Sequence, residues 1–135
     1  MSPRPAEEIS GVPLAADLDE AAARPMVAVL DAKPGHADSL RQLITELAAQ
    51  VRREPGCVTF VPYQDHGRPG RFYLYEVYAS LPAFRQHLRT AHVQRFIAAL
   101  PAFSTSSGAD ALTQLNEILV PGPATNSSAE HQVYG

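Results

Sequence analysis

The chain has 135 residues, 45% hydrophobic and 19% charged, which predicts one globular domain with a single core. A formal charge of −3 and a pI near 5.9 argue against a nucleic-acid or anionic-membrane partner, since either needs a basic patch. A lone cysteine, Cys57, excludes an internal disulfide framework and a cysteine-based metal cluster, and no apolar run approaches the ~20 residues of a membrane span.

Residues 1–24 are rich in Ala, Pro and acids (Glu7, Glu8, Asp17, Asp19, Glu20) and lack a basic-then-apolar signal layout. A flexible extension and a cytoplasmic location are expected. Met26–Leu30 then reads as a strand apolar on both faces, which must be covered on both. Lys33-Pro34-Gly35-His36 is a turn. Leu40, Leu43, Ile44, Leu47, Ala48 and Val51 follow at the spacing of one helical stripe, predicting an amphipathic helix over 37–54. Asp38 or Ser39 suits its positive end, Arg52 and Arg53 its negative end, and Glu54-Pro55-Gly56 stops it.

Cys57–Tyr63 is the second predicted strand, with Pro62 placing it at an edge or bulge and Cys57 reading as a small buried hydrophobe. Asp65–Gly70 is a hairpin turn in which His66 is solvated. The third strand, Phe72–Tyr78, alternates Phe72, Leu74, Glu76 and Tyr78 onto one face and Tyr73, Tyr75 and Val77 onto the other. Ser80 caps a short helix with Pro82 in its first turn and Leu81, Phe84 and Leu88 on its buried side, beside His87. Thr90-Ala91-His92 interrupts, and Val93, Phe96, Ile97 and Leu100 form a further stripe ending at Pro101. Ala111–Val120 is a fourth strand, and 121–135 a flexible tail.

The order β-α-β-β-α-β predicts a ferredoxin-like α+β fold over 25–120, with an antiparallel sheet and helices on one face. The other face, with Tyr73, Tyr75 and Val77, would be a large exposed apolar patch, so a homodimer burying it is expected. A carboxylate amid an apolar strand face, followed by two histidines on helical segments, is where chemistry gathers: Glu76, His87 and His92. Each also has a plain structural role open to it, the histidines as packed, hydrogen-bonded groups and Glu76 as a pin between sheet and helix. A metal site built from the three matches no ligand spacing.

The PGH turn, the REPGC that ends the first helix, the FYLYE strand and the continuation into AFRQHL and TAHVQRF resemble the antibiotic biosynthesis monooxygenase (ABM) family. The likeness runs over about residues 26–120. It implies a dimeric α+β barrel, and in some members oxidation of quinols or aromatic phenols by molecular oxygen without metal or flavin. Haem-degrading relatives share a Trp/His/Asn trio; this chain has no Trp and offers no Asn in Met26–Leu30, with His87 at the position of that Trp. The Trp and Asn of the aromatic-polyketide oxygenases are likewise absent. What carries over is the quinol-oxidising pattern of Glu76, His87 and His92.

On that resemblance the expected function is a cofactor-independent monooxygenase acting on a small aromatic phenol or quinol. His92 is the first candidate for general base or oxyanion partner, His87 would assist, and Glu76 would be the carboxylate partner. Phe72, Leu74, Tyr78, Phe84, Phe96 and Ile97 would line a slot for the ring. The alternatives are a non-catalytic small-molecule-binding dimer of the same fold and an isomerase using His/Glu acid–base chemistry.

Overall fold

The computed structural model describes residues 20–106 and 111–122. Along them run β1 (Arg24–Asp31), α1 (Ala37–Val51), β2 (Cys57–Gln64), β3 (Arg71–Tyr78), α2 (Leu81–Arg89), α3 (Ala91–Phe103) and β4 (Leu112–Gln114). The strands form one sheet in the order β2-β3-β1-β4, each neighbouring pair antiparallel. This is the expected ferredoxin-like α+β arrangement. Met26, Ala28, Leu30, Phe60, Phe72, Leu74 and Tyr78 from the sheet share one core with the buried stripes of the helices. Pro62 lies on β2, an edge strand, where a residue without an N–H is tolerated.

α1 buries Leu40, Ile44, Leu47, Ala48 and Val51, the stripe its periodicity predicts. It stops at Val51, short of the expected Glu54. Beyond it the backbone tightens: Arg53 N bonds Gln50 O at 3.1 Å and Glu54 N bonds Val51 O at 2.9 Å, the i→i−3 winding common at helix ends. Glu54 therefore stands in the corner between helix and sheet rather than on the helix. The Arg52 guanidinium donates to the Phe60 carbonyl at 2.9 Å, tying that corner to β2.

The break between α2 and α3 is narrower than expected and lies at Thr90 alone. Its backbone is extended, and its hydroxyl donates to His87 O at 2.8 Å and accepts from Val93 N at 3.3 Å, closing one helix and capping the next. His92 is thus the second residue of α3, not part of a linker. α3 also passes through Pro101 to Phe103, because a proline this close to the C-terminus removes little of the hydrogen-bond ladder.

The fourth strand is three residues long rather than ten. β4 pairs with Met26–Ala28, and Leu115 N makes one more bond to Pro25 O at 2.9 Å. β1 begins at Arg24, so among the described residues those further along have no partner strand, and Ile118, Leu119 and Val120 are 83%, 82% and 70% exposed. On the outer sheet face Tyr73 and Tyr75 are half-buried and Tyr63 is exposed, whereas Val77 is already buried within the chain. Most of the expected extension and tail lies outside the described residues; of 1–24, Glu20 accepts from Leu81 N at 2.9 Å. Among the described residues no helix is long and apolar enough to cross a membrane.

Candidate functional site

The alternation of β3 sends Glu76 and Tyr78 toward the helices, where both are buried. α2 starts sharply at Ser80, whose hydroxyl accepts from Ala83 N at 3.2 Å, and its inward stripe of Leu81, Phe84 and Leu88 includes His87. Gly56 fixes how closely α2 approaches the α1–β2 corner. A Cβ on Gly56 would stand 2.5 Å from Ala83 Cβ, and its carbonyl accepts from Ala79 N at 2.8 Å.

These elements bring five polar side chains into one hydrogen-bonded chain. Tyr78 Oη lies 2.7 Å from Glu76 Oε1 and 3.0 Å from His87 Nε2. His87 Nδ1 lies 3.0 Å from both oxygens of Glu54, and His92 Nε2 lies 2.5 Å from Glu54 Oε2. The His87 ring packs 4.5 Å from that of Tyr78 and stacks on Phe84 at 6.1 Å between centroids.

The two carboxylates are driven in opposite directions. Burial pushes Glu54 up, but hydrogen bonds from His87 and His92 outweigh it and hold the group below the ordinary glutamate value. Burial dominates at Glu76 and raises it, the hydrogen bond from Tyr78 offsetting only part. Burial, and then the Glu76 charge, raise the Tyr78 phenol as well. With Glu54 ionised, the chain accepts one proton in either of two arrangements. In one, neutral Glu76 donates to Tyr78, Tyr78 to His87 Nε2, and His87 Nδ1–H to Glu54. In the other, Tyr78 donates to ionised Glu76, and His87 is an imidazolium donating to both Tyr78 and Glu54. The two differ by a proton moved from Glu76 to His87 across the Tyr78 hydroxyl.

The inner end of this chain meets an apolar cavity of about 80 Å³ between sheet and helices. Glu76 and His87 are its polar wall, with Leu74, Phe84, Phe96 and Ile97 among its apolar one. Phe72 and Tyr78, expected to line the slot, are buried core residues outside its wall. A dry cavity that holds a benzene ring measures about 150 Å³, roughly twice this one.

His92 is not in the cavity wall. It lines a depression on the surface between α1 and α3, with Glu46, Gln50, Arg95 and Phe96. Glu76 is hydrogen-bonded not to a histidine but to Tyr78, whose hydroxyl joins it to His87. The carboxylate that both histidines share is Glu54, which sequence reading takes for a helix stop. One cue was present: an acid at a helix C-terminus opposes the dipole, where a cation is favoured. Cys57 is half-buried, and burial, then the charges of Glu54 and Glu76, push its thiol up to about 11, which keeps it protonated and unreactive. Among the described residues no group of three or more His, Cys, Asp or Glu is arranged to hold a metal ion.

The fold and this arrangement can be set beside known proteins. No curated protein matches the sequence. Among solved structures, PA3566 from Pseudomonas aeruginosa is 26% identical, with a TM-score of 0.67 over 76% of this chain and 100% of its own. A putative antibiotic biosynthesis monooxygenase from Deinococcus radiodurans is 27% identical, with a TM-score of 0.65 over 76% of this chain and 99% of its own. Rv0793 from Mycobacterium tuberculosis, 23% identical, shares the fold with a TM-score of 0.67 over 75% of this chain and 100% of its own. The family model described as antibiotic biosynthesis monooxygenase matches residues 26–99, which spans β1 through most of α3 and includes Glu54, Glu76, Tyr78, His87 and His92. The chain belongs to the antibiotic biosynthesis monooxygenase family.

Proposed function

We propose that the protein is a cofactor-independent monooxygenase that oxidises a small aromatic phenol or quinol with molecular oxygen, working as a homodimer joined across the outer sheet face around Tyr73 and Tyr75. One observation carries the reading: a buried acid–base chain of Glu76, Tyr78, His87 and Glu54 ends on an apolar cavity. Triplet oxygen reacts slowly with closed-shell molecules, so the protein must make the substrate electron-rich by removing its phenolic proton. The substrate hydroxyl gives its proton to one oxygen of neutral Glu76, as the other oxygen passes its own to Tyr78 and Tyr78 passes its own to His87 Nε2. The product is a phenolate facing a neutral carboxylic acid that donates to it, and an imidazolium held by ionised Glu54.

The phenolate gives one electron to oxygen, and the radical pair joins as a peroxide on a ring carbon that carries hydrogen. His87 returns its proton to the peroxide. Loss of the ring C–H proton then breaks the O–O bond, leaving a carbonyl and water. One oxygen atom enters the product, the other becomes water, and all electrons come from the substrate. Leu74, Phe84, Phe96 and Ile97 contact the ring in this reading.

The test is oxygen uptake with a panel of reduced naphthoquinols and anthrones, spontaneous autoxidation subtracted, on the unmodified protein and on Glu76→Gln. Uptake above background that falls by about 10²–10⁴-fold in the variant is the expected result, the usual loss for a general acid–base group. Background uptake across the panel overturns the reading. Proton exchange into a substrate analogue without oxygen uptake favours an isomerase instead.

A further inference from the structure

We propose that Glu54 and His92 form a proton port, through which the proton reaching His87 is passed to solvent at the groove between α1 and α3 and later returned. The inference deepens the monooxygenase reading and rests on it for its purpose, though not for its geometry.

Orienting His87 requires one carboxylate and no more. Glu54 meets that need, with both oxygens 3.0 Å from His87 Nδ1. The second histidine is surplus to orientation, yet it approaches Glu54 Oε2 at 2.5 Å, the closest contact of the chain. Side-chain exposure rises outward along the same path, from 7% at His87 to 10% at Glu54 and 18% at His92. The path therefore runs from the cavity wall to water through groups that each bind and release a proton. Glu46 on α1 and Arg95 on α3 are the other charged groups lining the depression at His92. At the inner end, His87 faces Tyr78 and Glu54, with Glu76 beyond Tyr78 and a protonated Cys57 near both carboxylates.

Oxidation of a phenol to a carbonyl and water yields no net proton, so the port is not a stoichiometric need. Its use is one of time. Electron transfer to triplet oxygen is slow, whereas a proton left on His87 can run back along Tyr78 and Glu76 and quench the phenolate. Moving it outward lets the anion last. On the outward path the His87 Nδ1 proton moves to the near oxygen of Glu54, while His92 as an imidazolium, donating to the other oxygen through Nε2, releases its Nδ1 proton to solvent. The return reverses each step when the peroxide is protonated. His92 is a proton-transfer residue in this scheme and touches no substrate.

The experiment uses the full chain, labelled with nitrogen-15, and follows exchange of the His87 Nδ1 proton with water by NMR. His92→Gln keeps a donor for Glu54 but carries no proton. It is expected to slow that exchange about tenfold or more, with recovery on adding imidazole, a loss smaller than the ~10²–10⁴ of a direct acid or base. Oxygen uptake at low buffer concentration should fall and recover in parallel, with KM unchanged. Unaltered exchange in both His92→Gln and Glu54→Gln overturns the port, as does slowed uptake that imidazole does not restore. Because the exchange measurement needs no substrate, it separates the two ideas: His92-dependent exchange without oxygen uptake keeps the port and removes the monooxygenase.

Discussion

β3 carries the same pair, a tyrosine bonded to a carboxylate, near each of its ends. Close to its start Tyr73 donates to Asp65 at 2.6 Å, and at its finish the Tyr78 hydroxyl is bonded to Glu76 at 2.7 Å. The bonds are nearly equal in length, but the acids respond in opposite directions. Asp65 is held below the ordinary aspartate value by Tyr73 and by the backbone N–H groups of Gly67 and Arg68. Glu76 is pushed above the ordinary glutamate value because burial outweighs the bond it accepts. Desolvation, not the hydrogen bond, decides which way each carboxylate moves. The solvated pair shapes a hairpin; the buried one becomes a group that can trade protons with a neighbour.

The largest effects should come from breaking the buried end. Tyr78→Phe removes the hydroxyl that joins Glu76 to His87, and oxygen uptake is expected to drop about 10²–10⁴-fold, while Tyr73→Phe leaves it unchanged. Phe84, which is 2% exposed and packs on both Tyr78 and His87, is the packing counterpart. Phe84→Ala should lower unfolding free energy by about 3–5 kcal/mol in urea titrations.

Titration sharpens the contrast further. The folded-state value of Glu76 is raised, so it favours the folded protein while protonated and weakens it as pH rises above the unfolded glutamate value. Glu76→Gln should therefore gain stability relative to the native chain as pH rises, read from thermal midpoints between pH 4 and 8. Glu54 has the reverse sign. Its lowered value gives stability that is present above the unfolded value and is lost as pH falls through the folded one. Glu54→Gln is expected to be less stable at neutral pH, with the gap closing in acid. The smallest change belongs to the far end of β3, where Arg71 and Asp31 pair at 2.8 Å in partial contact with solvent. Asp31→Asn should barely move the thermal midpoint, because ion pairs of this kind contribute little.

The fold was largely legible in the sequence because its signals are local. The α1 stripe, the alternation in β3, the Ser80 cap and the Pro62 edge each depend on neighbours a few residues away. Where a partner decides, the reading falls short. Nothing within Ala111–Val120 says that β1 begins at Arg24 and that Ile118–Val120 are exposed beyond it. The candidate site divides the same way. Glu76 and His87 stand out as polar groups on apolar faces, but Glu54 meets His87 across 33 positions of chain and sits in a motif that reads as a helix stop. His92 is chemically conspicuous in the sequence, yet only the packing of α3 against α1 sets it on the outer side of the path. Tyr78 passes for an aromatic lining residue until its hydroxyl is located between Glu76 and His87.

Gly56 gives this arrangement a history-dependent constraint. Its contact with Ala83 sets the spacing of the α1–β2 corner from α2, and so the gap that Glu54 must bridge to His87. Any side chain at 56 collides with α2 while Ala83 remains, whereas Ala83→Gly alone costs only about 1 kcal/mol of helix propensity. The order of change is thus restricted. A lineage can reach a larger residue at 56 by trimming 83 first, and the reverse route passes through an intermediate whose proton path is pulled apart.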